Sequence, residues 1–596
     1  MLHYLTMRLF QRYLPILLVV VLLATMFTIE ATTAWHESQT IDEGVHLSAG
    51  FSYLKTGDFR LNPEHPPLIK ELAALPLLFT PVKFPINDQT WQHWNQYQLG
   101  KVFLYHNVFS ARTILFLGRL PIMLISLLLG WWIFRTSREL FGQWGGILSL
   151  SLYALDPGFI AHGHYVTTDV GFAAFSFWSV LRLRKMLDTP SRRNVILFIT
   201  ALWLAGMSKF SMIAYLMTLL IVVVILKFRE PRLSSLQLRK WLKVTLISIP
   251  VLALLTWAFY GFDVRRRIDD PRVAELYAQR ADYVQTHDVR TGSALVRFVM
   301  TKLGDRASGF GAWVDHSSTI SVPGYAFFRG TIAVIGHSIG GQESYLHGQF
   351  KDTGWWYYFP TAMAIKTPLP TLAAILGMWI VVIVWIVRSK QRGKSWREVF
   401  ASADRTWFIF LAIPTVFLLL SMGSHLNLGW RHIMPIYPFI FVLAGVFTSR
   451  QFLSTAKYFI IIPIVLSGGM LATQAKTYPN EIGYFNSLIG GSKNGPAWLI
   501  DSNLDWGQGV LRLADFMSIN NIHSIPFVYY GWTDVTDYLN ATHMPTSVEA
   551  HSGQIIHGYA AISIGQLYRR DGQYDWLKKY HPQELPGSGI YIYNLP

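Results

Sequence analysis

Ile41 to Lys70 reads IDEGVHLSAGFSYLKTGDFRLNPEHPPLIK and follows directly on the first membrane-length apolar run of the chain. The stretch sets Asp42, Glu43, His46, Glu64, His65 and Lys70 against a membrane surface, where ionisable groups are costly and are usually kept for function. Working outward, 52% of the 596 residues are apolar, 15% aromatic and only 14% charged, a composition that excludes an ordinary soluble domain. Runs of roughly 20 residues, long enough to cross a hydrocarbon core, occur near 10 to 29, 113 to 134, 145 to 161, 168 to 186, 194 to 208, 210 to 227, 242 to 260, 361 to 387, 406 to 422, 433 to 448 and 457 to 473. The fold class expected is a polytopic α-helical membrane protein with about eleven spans.

Basic residues test this count, because short cytoplasmic loops hold the excess Lys and Arg. Arg8 and Arg12 precede the first run, and later clusters fall at Arg135/Arg138, Arg182 to Arg193, Lys227 to Lys243, Arg388 to Arg397 and Arg450/Lys457. They place the N-terminus in the cytoplasm and segments 30 to 112, 261 to 360 and 474 to the end outside; the membrane expected is the plasma (inner) membrane. The net charge of +16 is then membrane orientation and attraction to anionic lipid, not a nucleic-acid footprint. The first run could also be read as a signal peptide, but its length and the acidic residues after it favour a retained helix. With no cysteine there is no disulfide and no thiolate ligand or nucleophile.

Two domains are expected: a transmembrane domain over 1–473, whose outer loops 30–112 and 261–360 carry interfacial helices, and an extracytoplasmic α/β domain over 474–596. LIKELAALPLLF (68 to 79) and SALVRFVMTKLG read as interfacial helices, and Trp91, Trp94, Tyr97 and Tyr105 suit a headgroup belt. From about 474, strand-like AWLID, IPFVYYG, AAISIG and GIYIYNL alternate with helical VLRLADFM.

Four groups could carry chemistry. Asp42 and Glu43 point about a quarter turn apart if helical, so one can serve as base while the other orients it or binds a cation; alternatively both only favour the start of a helix. In PEHPPLIK the prolines stiffen the chain, so His65 sits at a corner with Lys70 one turn on, a cradle for a phosphate or a structural turn. AHGHYVTTDV brings His162, His164 and Asp169 to one hairpin. Lys209, Arg431 and His432 lie at turns on the same face. Carboxylates and cations therefore converge there, the mixture that an anionic leaving group and a nucleophile needing deprotonation require.

Taken in order, IDEG, EHPPLIK, HGHYVTTDV, GMSKFS, WRHIMPIYPF, YFNSLIGG and DSNLDWGQG resemble the GT-C glycosyltransferases that use a polyprenyl-phosphate-linked sugar, in the protein O-mannosyltransferase-like (family 39) branch and its bacterial relatives. The resemblance implies a GT-C-like fold and an inverting transfer from the lipid-linked donor to an acceptor hydroxyl on the outer face. It implies a catalytic carboxylate at Asp42 with Glu43 beside it. Arg431, Lys209, His65, Lys70 and His432 would bind the donor phosphate, and Asp169 and His164 would lie in the site. Asp501, Asn503, Asp505 and Trp506 of DSNLDWGQG would close over the cavity or contact the acceptor, or form a rigid turn. No cofactor is required by this scheme, although a divalent metal held by Asp42, Asp169 and His164 stays open. The partners expected are the lipid-linked donor, a glycan, lipid or protein acceptor, and membrane lipid; the luminal lectin-like domain of eukaryotic members is missing, which points away from a protein acceptor. Alternatives of the same fold are an oligosaccharide or lipid ligase and, from another class, a transporter of lipid-linked sugars, which the lack of an internal repeat disfavours.

Overall fold

The computed structural model describes residues 2–229, 248–266, 269, 320–449, 460–553, 556–585 and 588–596, with side chains from residue 13 onward. The amphipathic candidate SALVRFVMTKLG and the basic cluster at Arg450/Lys457 lie outside the described residues. The chain is a multi-pass helical membrane protein. Among the described residues five helices are long and apolar enough to cross a membrane: Tyr13–Trp35, Ala111–Phe141, Met212–Arg229, Leu369–Gln391 and Trp430–Thr448. A sixth arises if Trp396–Ser402 and Arg405–Ser421, bent by 101°, count as one span.

Eleven apolar runs were expected, and several are helical but shorter or broken. The run 145 to 161 divides into Gln143–Ala154 and Pro157–His164. The break is local chemistry: the Asp156 side chain accepts from Phe159 N as an N-cap, and Pro157 takes the first helical position, where its missing N–H costs nothing. Likewise 361 to 387 is interrupted between Tyr358–Lys366 and Leu369–Gln391, with Pro368 preceding the second helix.

The segment after the first span is packed backbone against backbone. Helix Glu43–Thr56 ends at Gly57 in the left-handed conformation, whose N–H bonds Tyr53 O. A Cβ at Gly50 would stand 2.0 Å from the Lys70 carbonyl oxygen, and one at Gly100 would stand 2.7 Å from the carbonyl carbon of Gly44. Only glycine admits neighbours Leu68–Ala74 and Gln96–Tyr105 at such range. The expected interfacial helix over 68 to 79 is helix Leu68–Ala74 continued by a 3-10 turn over Leu75–Phe79.

The aromatics expected in a headgroup belt have other work. Trp91 and Trp94 are buried, with the Arg60 guanidinium 4.5 and 5.3 Å from their rings. Tyr97 stacks on Trp532 at 4.9 Å, and Tyr105 meets Tyr538 edge-on at 6.0 Å. Tyr97 and Tyr105 thereby fasten the loop after the first span to the C-terminal residues through ring-on-ring contacts.

The C-terminal residues build a five-stranded sheet from β1 (Ile525–Val528), β2 (Ala541–Thr542), β3 (Gly558–Ser563), β4 (Gln583–Leu585) and β5 (Ile590–Leu595), in the order β2-β1-β3-β5-β4. β1 pairs parallel with β2 and β3, while β5 pairs antiparallel with β3 and β4. Helix Val510–Ile519 covers it, burying Val510, Leu513 and Met517 against Ile525, Ala561 and Ile592. AWLID, expected as a strand, is instead irregular and ends in a 3-10 turn over Asp501–Asn503, with Asp501 at φ 59°.

Candidate active site

The site begins with a buried arginine in the second span. Arg119, fully buried, donates from Nε to Glu43 Oε1 at 2.8 Å and from Nη2 to Glu43 Oε2 at 2.6 Å. It also donates to the carbonyls of Ala34, Glu37 and Ser38 at 2.5, 3.1 and 2.9 Å. One guanidinium thus joins the end of the first span, the linker and the start of helix Glu43–Thr56. Glu43 further accepts from Thr40 N at 2.9 Å and Val166 N at 3.0 Å. Burial alone would push its carboxyl up, but the Arg119 charge and these bonds hold it below the usual carboxylate range. Glu43, expected in the reacting pair, is therefore a saturated anchor with no lone pair left for a substrate.

Asp42 is the neighbour left available. It starts helix Glu43–Thr56 without using its carboxylate as a cap, so the capping alternative does not describe it. Its side chain is 24% exposed and faces Arg431 Nη1 at 3.4 Å. Arg431 Nη1 also lies 3.3 Å from Asp169 Oδ2, and Asp169 Oδ1 accepts from Lys209 Nζ at 2.6 Å. A chain of alternating charge, Asp42 to Arg431 to Asp169 to Lys209, results from four separate elements. Asp169 opens helix Asp169–Asp188, where the helix dipole favours a carboxylate, and Lys209 ends helix Arg192–Ser208.

Arg431 is aimed by the DSNLDWGQG segment. Its Nε donates to Ser502 Oγ at 3.1 Å, Ser502 Oγ donates to Leu428 O at 2.9 Å, and the guanidinium lies 4.2 Å over the Trp506 ring, a cation–π contact that leaves the fork free to be used in its own plane. Trp506 O accepts from Ile41 N at 2.9 Å, so the residue under Arg431 also holds the residue before Asp42. Asn503 Oδ1 accepts from Trp430 N at 2.9 Å, and Asn503 Nδ2 donates to Tyr358 OH at 3.2 Å. Asn503 thus fixes the turn carrying Arg431. Asp501 has its Oδ2 bonded by Tyr530 OH at 3.2 Å; burial pushes its carboxyl up, and the charge of Arg431 pulls it back.

Other expected site residues are committed elsewhere. Asp505 is fully buried and accepts from Gly565 N at 2.9 Å and Gly507 N at 3.2 Å, so it belongs to the turn. The Lys70 ammonium is buried and donates to Tyr53 OH, Asn62 O and His65 O at 2.9, 2.8 and 2.7 Å. Burial lowers it to about 7. It ties down the turn bearing His65 and has no donor to spare for a phosphate. His164 bonds Ile160 O through Nδ1 at 2.9 Å and Glu37 Oε2 through Nε2 at 3.1 Å, so both ring nitrogens are taken. The trio left open for a metal is therefore not assembled, and among the described residues no group of three His, Cys, Asp or Glu side chains could hold an ion.

His65 and His432 remain beside the charge chain. The His65 ring meets His46 edge-on at 5.4 Å, and its Nδ1 is buried without a hydrogen-bond partner. Burial, with His46 and the Lys209 and Lys70 ammoniums nearby, holds His65 well below the ordinary imidazole range, so it is neutral. His432 stacks on Phe359 at 6.2 Å. Arg119, Ser502 and Tyr530 were not read from the sequence. Arg119 had a signal, a lone charge inside an apolar run.

Residues 106–257 match the family described as "Dolichyl-phosphate-mannose-protein mannosyltransferase". HGHYVTTDV and GMSKFS lie inside that match; IDEG, EHPPLIK, WRHIMPIYPF and DSNLDWGQG lie outside it. No curated protein matches the chain. Among solved structures, ArnT from Cupriavidus metallidurans bound to undecaprenyl phosphate aligns with 96% of this chain and 97% of its own at 12% identity and a TM-score of 0.42. The apo state of ArnT aligns with the same coverage at 13% identity and a TM-score of 0.28. The family similarity agrees with the resemblance drawn from the motifs: over 106–257 the chain is similar to glycosyltransferases.

Proposed function

We propose that the chain is an inverting glycosyltransferase that moves a sugar from a polyprenyl-phosphate carrier to an acceptor hydroxyl at the outer membrane face. The observation that carries this reading is the chain Asp42, Arg431, Asp169, Lys209, with its one partly exposed carboxylate at one end. Asp42 is the general base. The acceptor oxygen attacks the anomeric carbon, its proton passes to Asp42, and the bond from that carbon to the phosphate oxygen breaks with its electron pair going to the phosphate. The phosphodiester becomes a phosphomonoester and gains negative charge, which Arg431 and Lys209 oppose in a site largely shielded from water. Asp169 keeps both cations in place, and neutral His65 offers a further hydrogen bond to a phosphate oxygen through its unpartnered nitrogen. The similarity of 106–257 to a dolichyl-phosphate-mannose-dependent family supports a lipid-linked donor.

The test is Asp42→Asn in full-length protein reconstituted in nanodiscs, supplied with a panel of undecaprenyl-phosphate-linked hexoses and pentoses and an envelope-glycan extract as acceptor. The variant should fold as the wild type and lose at least ~10²-fold in transfer rate. Transfer at the wild-type rate would remove the base from the scheme.

A further inference from the structure

A cavity of about 490 Å³ opens where the ribbon Ser344–Leu346/Gln349–Lys351 and the chain around Asn427 face the loops of the C-terminal sheet. This volume is in the range of ~300–1,000 Å³ that small-ligand sites occupy. Asp501 and Tyr530 line it, and Tyr530 OH donates to Asp501 Oδ2 at 3.2 Å. The cavity therefore adjoins the charge chain: Asp501 precedes Ser502, which bonds Arg431 Nε, and the charges of both Arg431 and Asp42 bear on the Asp501 carboxyl.

Its remaining lining is aromatic and amide-rich, with Tyr345, Phe350 and Tyr358 on one side and Gln342 and Gln566 among the polar groups. The arginines at its edge do not form a phosphate site. Arg569 pairs with Asp571 at 2.9 Å, and Arg570 lies 3.1 Å from Asp352 and 3.6 Å from Glu343, so the edge presents matched charges. A sugar ring offers an apolar C–H face and a rim of hydroxyls, which aromatic faces beside amides, a phenol and a carboxylate satisfy together. A phosphorylated head group would instead leave those acidic partners opposed to it.

We infer that this cavity is the acceptor subsite and that it takes a saccharide, one of whose hydroxyls reaches Asp42 past Asp501 and Tyr530. The inference rests on the transferase reading above and names the acceptor class for the same site. Bond changes are those already given: the saccharide oxygen joins the anomeric carbon, its proton goes to Asp42, and polyprenyl phosphate leaves.

Full-length protein in nanodiscs is to be titrated with maltotriose, mannotriose and chitotriose by saturation-transfer difference NMR, and separately with undecaprenyl phosphate. At least one trisaccharide should bind. Its affinity should fall ~10-fold in Tyr530→Phe, which keeps the ring and deletes the hydroxyl, and also in Gln342→Ala/Arg569→Ala, which alters only exposed side chains. Undecaprenyl phosphate binding should stay unchanged in both variants. Absence of trisaccharide binding overturns the inference, as does a saccharide affinity equal in wild type and variants, or variant-sensitive binding of a Ser/Thr-rich peptide in place of sugars. Saccharide binding that behaves as expected in a protein that fails to bind undecaprenyl phosphate upholds the cavity assignment and strikes the donor reading alone.

Discussion

The Glu43–Arg119 pair is the strongest structural commitment around the site, and breaking it has a calculable consequence. Both side chains are fully buried, so Glu43→Gln leaves a guanidinium without its counter-charge in a low-dielectric setting, a change that typically costs about 3–5 kcal/mol. Arg119→Met leaves the carboxylate equally stranded and also frees the carbonyls of Ala34, Glu37 and Ser38, so it should cost at least as much. The double variant removes both charges and should be less destabilised than the sum of the singles, with a coupling of about 2–3 kcal/mol. Because Asp42 adjoins Glu43, loosening this anchor shifts the proposed base relative to Arg431, and a displacement of ~1 Å is enough for a ~10²-fold loss in turnover. The assay is a double-mutant cycle of unfolding in mixed detergent micelles, read alongside transfer rate. Glu43→Gln with stability within ~1 kcal/mol of wild type, or singles whose effects simply add, would refute the view that the pair holds the reacting carboxylate.

Two further outcomes follow from the packing. Gly50→Ala sets a methyl group 2.0 Å from the Lys70 carbonyl, a backbone atom that cannot swing aside, so it should lower stability by about 2–3 kcal/mol and move the turn bearing His65; a melting temperature equal to wild type would contradict the close approach. Burial pushes the Asp505 carboxyl up to about 7, against the pull of the Gly565 and Gly507 N–H groups. The folded chain then holds this proton longer than the unfolded chain, so stability should decline as pH rises from about 4 to about 7 and level off beyond. Asp505→Asn should flatten that part of a melting-temperature profile, and identical slopes in both proteins would show that Asp505 does not titrate there.

Composition and apolar runs were enough to read a multi-pass membrane protein, because lipid demands long apolar helices whatever the fold. Asp169, Lys209 and Arg431 each sit where an apolar run begins or ends, so the sequence could place them with Asp42 on one face, and the structure brings the four into contact. What the sequence could not separate was a charged residue with a task from one already satisfied. Asp42 and Glu43 are adjacent and chemically alike, yet their roles diverge because Arg119, contributed by a different helix, meets only one of them. Lys70 and Lys209 look equally suited to a phosphate. Four residues of chain geometry decide otherwise, since Tyr53, Asn62 and His65 surround the first, while the second faces a single carboxylate. Partner identity is a long-range property, and local pattern does not encode it.

The same reasoning explains why DSNLDWGQG is read as both site and scaffold. Its residues alternate in duty along a tight turn: Asp501 lines the cavity, Ser502 and Trp506 grip Arg431 by edge and face, Asn503 fixes the turn before it, and Asp505 closes the turn on itself. Trp506 O to Ile41 N then ties this segment to the chain at Asp42, so Asp42 and the Arg431 guanidinium are positioned by one short stretch as well as by the membrane helices. Their 3.4 Å separation is thus set jointly by this segment and by Arg119 of the second span, which holds Glu43 beside Asp42. A phosphate drawing Arg431 toward itself would loosen the 3.4 Å contact with Asp42 and leave that carboxylate open to a hydroxyl.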